Sequence, residues 1–228
     1  VPSLDQQTAP RMRYRGWPIH NHEVTTPLGA SGRWRYNMSP EYDAFWPYIL
    51  AFKDYPELGG AEHKEEIEKQ QQKLHALFAD MLKYGSMPTI FFNFMSLQWA
   101  PNGADAARAV LDAKYPGILA QPVEKYRYNM CPSHPEMQKL VASEVREMLE
   151  TFREIEMIVM QMCDEGGEIY CDCEECQKTP YMDKLLHFIE LMIATAREVN
   201  PKVHIMVFGS GITNNMCRYD QTLIQDPT

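Results

Sequence analysis

No run of this chain stays apolar for the roughly 18 to 20 residues that a membrane-spanning helix needs. Basic charge is also short: 22 Lys and Arg stand against 31 Asp and Glu, for a net charge of -9. Nucleic-acid binding draws most of its affinity from Lys and Arg on phosphates, so this balance argues against such a partner. Neither G-x-G-x-x-G nor G-x-x-x-x-G-K-[ST] occurs, which removes the usual backbone cradle for a nucleotide phosphate. No stretch rich in Gly or Ser divides the 228 residues, and they are read as a single domain, 1–228. The residues after Val1 show no secretory-leader pattern, and the expectation is a mature form or a fragment.

What the chain does have is an alternation of helical and strand-like segments. Residues 63–85 set Ile67, Leu74, Leu77, Phe78, Met81 and Leu82 on one stripe, with Gly85 suited to a C-terminal cap. Segments 104–115, 131–152 and 180–199 predict further helices. Ser133 and Glu136 give the second of these the S-x-x-E signature of a capping box. The short apolar runs 87–96, 155–162 and 202–208 predict buried strands. Residues 11–17 read as a first strand and 124–130 as a weaker one. Residues 40–55 read as helical at their start, up to Pro47. "RYNMSPEYD" (35–43) echoes "RYNMCPSHPEM" (127–137), as two β/α units built alike would.

Helices alternating with short apolar strands predict parallel β/α units. A complete (β/α)8 barrel takes about 250 residues. Five or six strand candidates stand here where eight are needed. The expected fold is therefore α/β, a partial or shortened TIM-type (β/α)8 barrel with its remaining strands beyond Thr228. An open doubly wound sheet is the alternative.

The chemistry concentrates in "QMCDEGGEIYCDCEEC", residues 161–176, directly after the apolar run "EMIVM". Asp164 and Glu165 follow the carboxyl end of a predicted strand, the edge where βα loops gather around active sites. A carboxyl beside apolar walls has a raised pKa and can deliver a proton, while a neighbouring carboxylate stays charged; glycosidic-bond cleavage needs this division of labour. Gly166 and Gly167 let the backbone turn sharply, and Glu168 adds another acid. The same stretch also carries metal-ligand chemistry. Cys171, Cys173 and Cys176 form C-x-C-x-x-C, and Cys163 supplies a fourth thiol for tetrahedral zinc. A disulfide among them is the alternative in an oxidising compartment. Cys131 and Cys217 read as separate, buried or free thiols. The bland alternative to all of these is a solvated acidic turn.

"YRGW" (14–17), followed about 150 residues later by a post-strand Asp-Glu, resembles the (β/α)8 glycoside hydrolases. The likeness is to the β-N-acetylhexosaminidase type (family 20) and the α-glucuronidase-like barrels. "CDCEECQK" also resembles Cys-rich loops of bacterial barrels that act on carbohydrates. By this resemblance Glu165 protonates the leaving oxygen, Asp164 orients the substrate's acetamido group, and Arg15 holds sugar hydroxyls. N-acetylhexosamine or uronic-acid glycosides are the implied substrates. No cofactor is then required, and a secreted or periplasmic location is favoured. The sequence departs from the hexosaminidase pattern at "DEGGE", where the glycines follow the acid pair instead of preceding it.

Other polar and aromatic residues near predicted strand ends complete the expected sugar site: Trp17, His22, Asn93, Asn129 and Glu168, with Trp99 a further stacking candidate. Asn, His and Glu exchange hydrogen bonds with hydroxyls, and a Trp face stacks on sugar C–H groups. The competing functional class is a carbohydrate-binding or structural barrel fragment without activity, its Cys-rich loop holding zinc.

Overall fold

The computed structural model describes residues 16–18, 39–43, 49–83, 87–93, 97, 100–126, 129–161 and 170–208, with backbone alone at 16–18, 39–43, 91–93, 160–161 and 207–208. Five strands follow the chain in order: β1 (Gly16–Pro18), β2 (Ser39–Asp43), β3 (Thr89–Asn93), β4 (Met157–Gln161) and β5 (His204–Phe208). Each pairs in parallel with the next, so the sheet order is also β1-β2-β3-β4-β5. Between them run α1 (Lys64–Lys83), α2 (Ala104–Lys114), α3 (Pro135–Thr151), the short α4 (Glu174–Lys178) and α5 (Tyr181–Val199). Right-handed crossovers between neighbouring parallel strands put the connecting helices on one face of the sheet. In keeping with that rule, α3 and α5, which precede and follow β4, pack against each other.

The sheet is open. Among the described residues no ladder joins β5 to β1, and five strands with five helices fall short of eight β/α units. The expected partial or shortened (β/α)8 barrel is therefore corrected to a small open α/β fold. Alternation of helix and strand specifies that neighbours are parallel, but closure depends on strand number, tilt and shear, which a local pattern does not encode.

Two local expectations also change. Residues 39–43 form a strand, not the start of a helix, because Glu41, Tyr42 and Asp43 find register partners in Thr89, Ile90 and Phe91. The described parts of the echo differ, since 39–43 is a strand whereas 135–137 opens α3. Among the described residues, segment 124–130 adds no strand to the sheet: Met130 makes one isolated antiparallel bridge to Leu119.

The core lies between sheet and helices. Ile90 and Ile158 meet Leu140, Val141, Val145 and Met148 of α3 and Leu185, Phe188 and Met192 of α5, all buried in one cluster. Each such side chain contributes about 1.5–3 kcal/mol on burial. Phe78 of α1 meets Phe152 edge-on, ring centres 6.0 Å apart. Along α1 the predicted stripe holds for Ile67, Leu74, Phe78 and Met81, whereas Leu82 is exposed. Met157 and Val159 are buried on the opposite face of β4 from Ile158, with Met87 against them. Among the described residues no helix is long and apolar enough to cross a membrane.

Candidate metal centre

In a parallel sheet the helices begin near the carboxyl edge of the strands and return toward the amino edge. The starts of α3 and α4 therefore lie on the edge that β4 points to, and four cysteines converge there. Cys131 stands four residues ahead of α3, Cys171 and Cys173 lead into α4, and Cys176 lies within it. The four sulfurs lie within 4.8 Å of one another. Cys131 Sγ is 3.5 Å from Cys176 Sγ and 3.7 Å from Cys173 Sγ. All four are free thiols, so the disulfide alternative is not realised among them.

Backbone pairing brings the two segments together. The Cys131 N–H donates to the Ile118 carbonyl at 2.7 Å and the Ala120 N–H to the Asn129 carbonyl at 3.0 Å, closing the 118–131 loop on itself. The Asp172 N–H then donates to the Gln121 carbonyl at 2.6 Å, fixing the second segment against the first. Outside the cluster, the Asp172 carboxylate accepts from Lys125 at 3.0 Å and from the Tyr126 hydroxyl at 3.1 Å. Lys184 donates to the Cys176 carbonyl at 2.9 Å. Tyr170 stacks on Tyr181 with centroids 4.8 Å apart.

The sulfurs are surrounded by donors. Cys171 accepts the Gln121 N–H at 3.2 Å, and Cys173 accepts the Cys176 N–H at 3.4 Å. Ser133 Oγ lies 3.0 Å from Cys176 Sγ. A neutral thiol is a weak acceptor and gains little from such company; a thiolate gains much. Burial, with Cys171 and Cys176 alongside, pushes the Cys131 thiol up, and burial pushes Cys171 up against the pull of the Gln121 and Cys173 N–H groups. At the half-exposed Cys173 burial is outweighed by the Cys176 N–H and the neighbouring thiols, leaving it below its ordinary value. Four thiols this close cannot all ionise on their own; a divalent cation among them removes the obstacle.

The donor set fits a single ion. Tetrahedral zinc with Zn–S near 2.3 Å places its sulfurs roughly 3.8 Å apart, close to the 3.7 and 3.5 Å from Cys131 to Cys173 and Cys176. Four sulfur ligands leave no open coordination position, the mark of a structural rather than a catalytic centre.

Three of the four ligands expected from the sequence, Cys171, Cys173 and Cys176, belong to this cluster, whereas Cys163 lies outside the described residues. The fourth member is Cys131, which sequence reasoning set apart. No local spacing links it to a motif 40 residues away. The available signal was its position at a loop-to-helix junction on the edge that also receives the loop after β4.

The expected sugar-site residues are scattered in what is described. Asp164, Glu165, Glu168, Arg15, His22 and Trp99 lie outside the described residues. Trp17 is the middle residue of β1, and Asn93 closes β3 in register with Gln161, the last residue of β4. Asn129 sits in the turn that donates its N–H to the Tyr126 carbonyl at 3.0 Å, two residues from Cys131. His134 is the N-cap of α3: its Nδ1 accepts the Glu136 N–H at 3.1 Å, a role expected of Ser133. No protein-family model matches the chain, and no curated protein matches it either.

Proposed function

We propose that Cys131, Cys171, Cys173 and Cys176 hold one zinc ion whose task is structural: it ties the loop before α3 to the segment that follows β4. The convergence of four sulfurs within 4.8 Å carries this reading. The donors aimed at the sulfurs support it, because ligating thiolates need partners outside the coordination sphere. Tetrahedral sulfur ligation suits zinc and, less commonly, a single iron. The test is metal analysis of the full chain purified without chelators. About one equivalent of zinc is expected; one equivalent of iron replaces the metal named, and a metal-free, folded chain overturns the reading.

A second reading gives the braced edge a reaction, hydrolysis of a glycosidic bond. It is favoured by the position of β4, flanked by β3 and β5, whose last residue Gln161 stands three positions before Asp164. The βα loops at the carboxyl ends of parallel strands are where β/α proteins gather their sites, although the order β1-β2-β3-β4-β5 has no reversal to mark one crevice above the others. In this reading Glu165 is the general acid and Asp164 its charged, substrate-orienting partner. Arg15, Trp17, His22, Asn93, Asn129 and Glu168 contact a hexosamine or uronic-acid glycoside, with water the final acceptor. A panel of chromogenic glycosides tests it: turnover is expected in the wild type and a loss of at least 10²-fold in Glu165→Gln. Full activity of that variant removes Glu165 as the acid. Sugar binding without turnover favours a non-catalytic carbohydrate-binding scaffold.

A further inference from the structure

Ser133 is released from the task its sequence position suggests. It precedes α3 in an S-x-x-E arrangement, yet His134 caps the helix. Glu136, the other half of the expected box, accepts instead from the Tyr55 hydroxyl at 3.1 Å and from Lys139 at 3.0 Å. The Ser133 hydroxyl turns away from the helix and reaches Cys176 Sγ at 3.0 Å. Cys176 Sγ in turn lies 3.5 Å from Cys131 Sγ, so Ser133 borders the point where segments 45 positions apart meet.

We infer that Ser133 is the positioning residue of the metal centre, its hydroxyl donating to the Cys176 thiolate. The inference rests on the metal reading above. A sulfur bound to a divalent cation carries no proton, so the donor in the Ser133–Cys176 contact must be the hydroxyl. That hydrogen bond spreads the negative charge of a thiolate buried to 1 % exposure and fixes the direction of its lone pairs toward the ion. Among the described residues, the donors from outside the four side chains that reach Cys171 and Cys173 are backbone N–H groups, which a substitution cannot remove. Apart from the cysteines themselves, Ser133 supplies the one side-chain donor seen at the four sulfurs among the described residues.

Cobalt(II) loaded into the full chain reads this contact directly, through its sulfur-to-cobalt charge-transfer absorption. Ser133→Ala deletes the hydroxyl, leaves the backbone N–H in place and spares the helix cap at His134. It is expected to shift that absorption and to weaken zinc about 10- to 100-fold in competition with a chelator. Ser133→Thr, which keeps a hydroxyl, is expected to restore both. A Ser133→Ala protein with wild-type absorption and wild-type zinc affinity overturns the inference while leaving the metal centre intact. A wild-type chain that takes up neither cobalt nor zinc defeats the metal reading itself, and the role of Ser133 with it.

Discussion

Between the sheet and its helices, Ile90, Ile158, Val145, Met148, Phe188 and Met192 exclude water with hydrocarbon alone. At the carboxyl edge the second cluster has only Ala120, Cys131, Cys171 and Cys176 fully inside, with Tyr126 and Cys173 at its margin. The first region includes three completely buried Phe rings, at 78, 152 and 188. The second offers one methyl group and three small thiols to hold two loops together. By area alone the first is a core and the second is not. The smaller region can be equally firm only if another source of free energy acts there. Zinc ligation, as proposed above, would supply it, at about 10–16 kcal/mol of apparent binding energy in small zinc-dependent peptides at neutral pH.

That contrast can be broken most severely by taking the metal away. A strong chelator is expected to raise amide exchange in residues 118–131 and 170–178 by on the order of 10²-fold or more. Protection in α3, α5, β3 and β4 should change far less, as read by hydrogen-exchange mass spectrometry. Equal loss in both regions would show them to be one cooperative unit.

Next in size is a defect in the hydrocarbon region. Phe152→Ala removes a ring that meets both Phe78 and His75. It is expected to cost about 3–5 kcal/mol in denaturant unfolding, with metal content unchanged. A smaller effect is expected where α3 holds the segment before α1. The buried Glu147 carboxylate accepts the N–H groups of Ala51 at 2.5 Å and Lys53 at 3.0 Å. Glu147→Gln turns one acceptor oxygen into a donor facing an N–H, at an expected cost of about 1–3 kcal/mol.

The smallest effect is electrostatic. Burial disfavours the Glu57 charge, but hydrogen bonds from Lys114 and Tyr115 prevail and hold its carboxyl below the ordinary value of 4.5. A lowered carboxyl stabilises the fold above the unfolded value, and this is lost as pH falls through the folded one. With Lys114 about half exposed, Glu57→Gln is expected to cost about 0.5–1 kcal/mol at neutral pH. The difference from wild type should close as pH drops below 4.5, in paired thermal melts across that range.

Much of the fold was legible because its elements are long or uniformly apolar. The stripe of α1, the helices at 104–114, 135–151 and 181–199, and strands β3, β4 and β5 follow from side-chain period and local composition. What the sequence hid was non-local. Strand β2 exists because Glu41–Asp43 pair with Thr89–Phe91, a partnership no window of neighbours contains. The open sheet was misread because alternation is blind to closure. Three cysteines of the cluster were legible from C-x-C-x-x-C, whereas Cys131 joins them only after α3 and β4 have folded the chain back. Ser133 was obscured for a different reason: its position satisfies a capping rule that His134 fulfils instead.

The central claim is that a metal is closed by Cys131, from the far loop, and not by Cys163, from the same stretch as the other three. Zinc stoichiometry of the full chain and of the Cys131→Ser and Cys163→Ser variants, read by mass spectrometry after equal exposure to chelator, tests it most directly. The account predicts about one zinc per chain in the wild type and in Cys163→Ser, and loss of the ion in Cys131→Ser. Retention in Cys131→Ser together with loss in Cys163→Ser would contradict it.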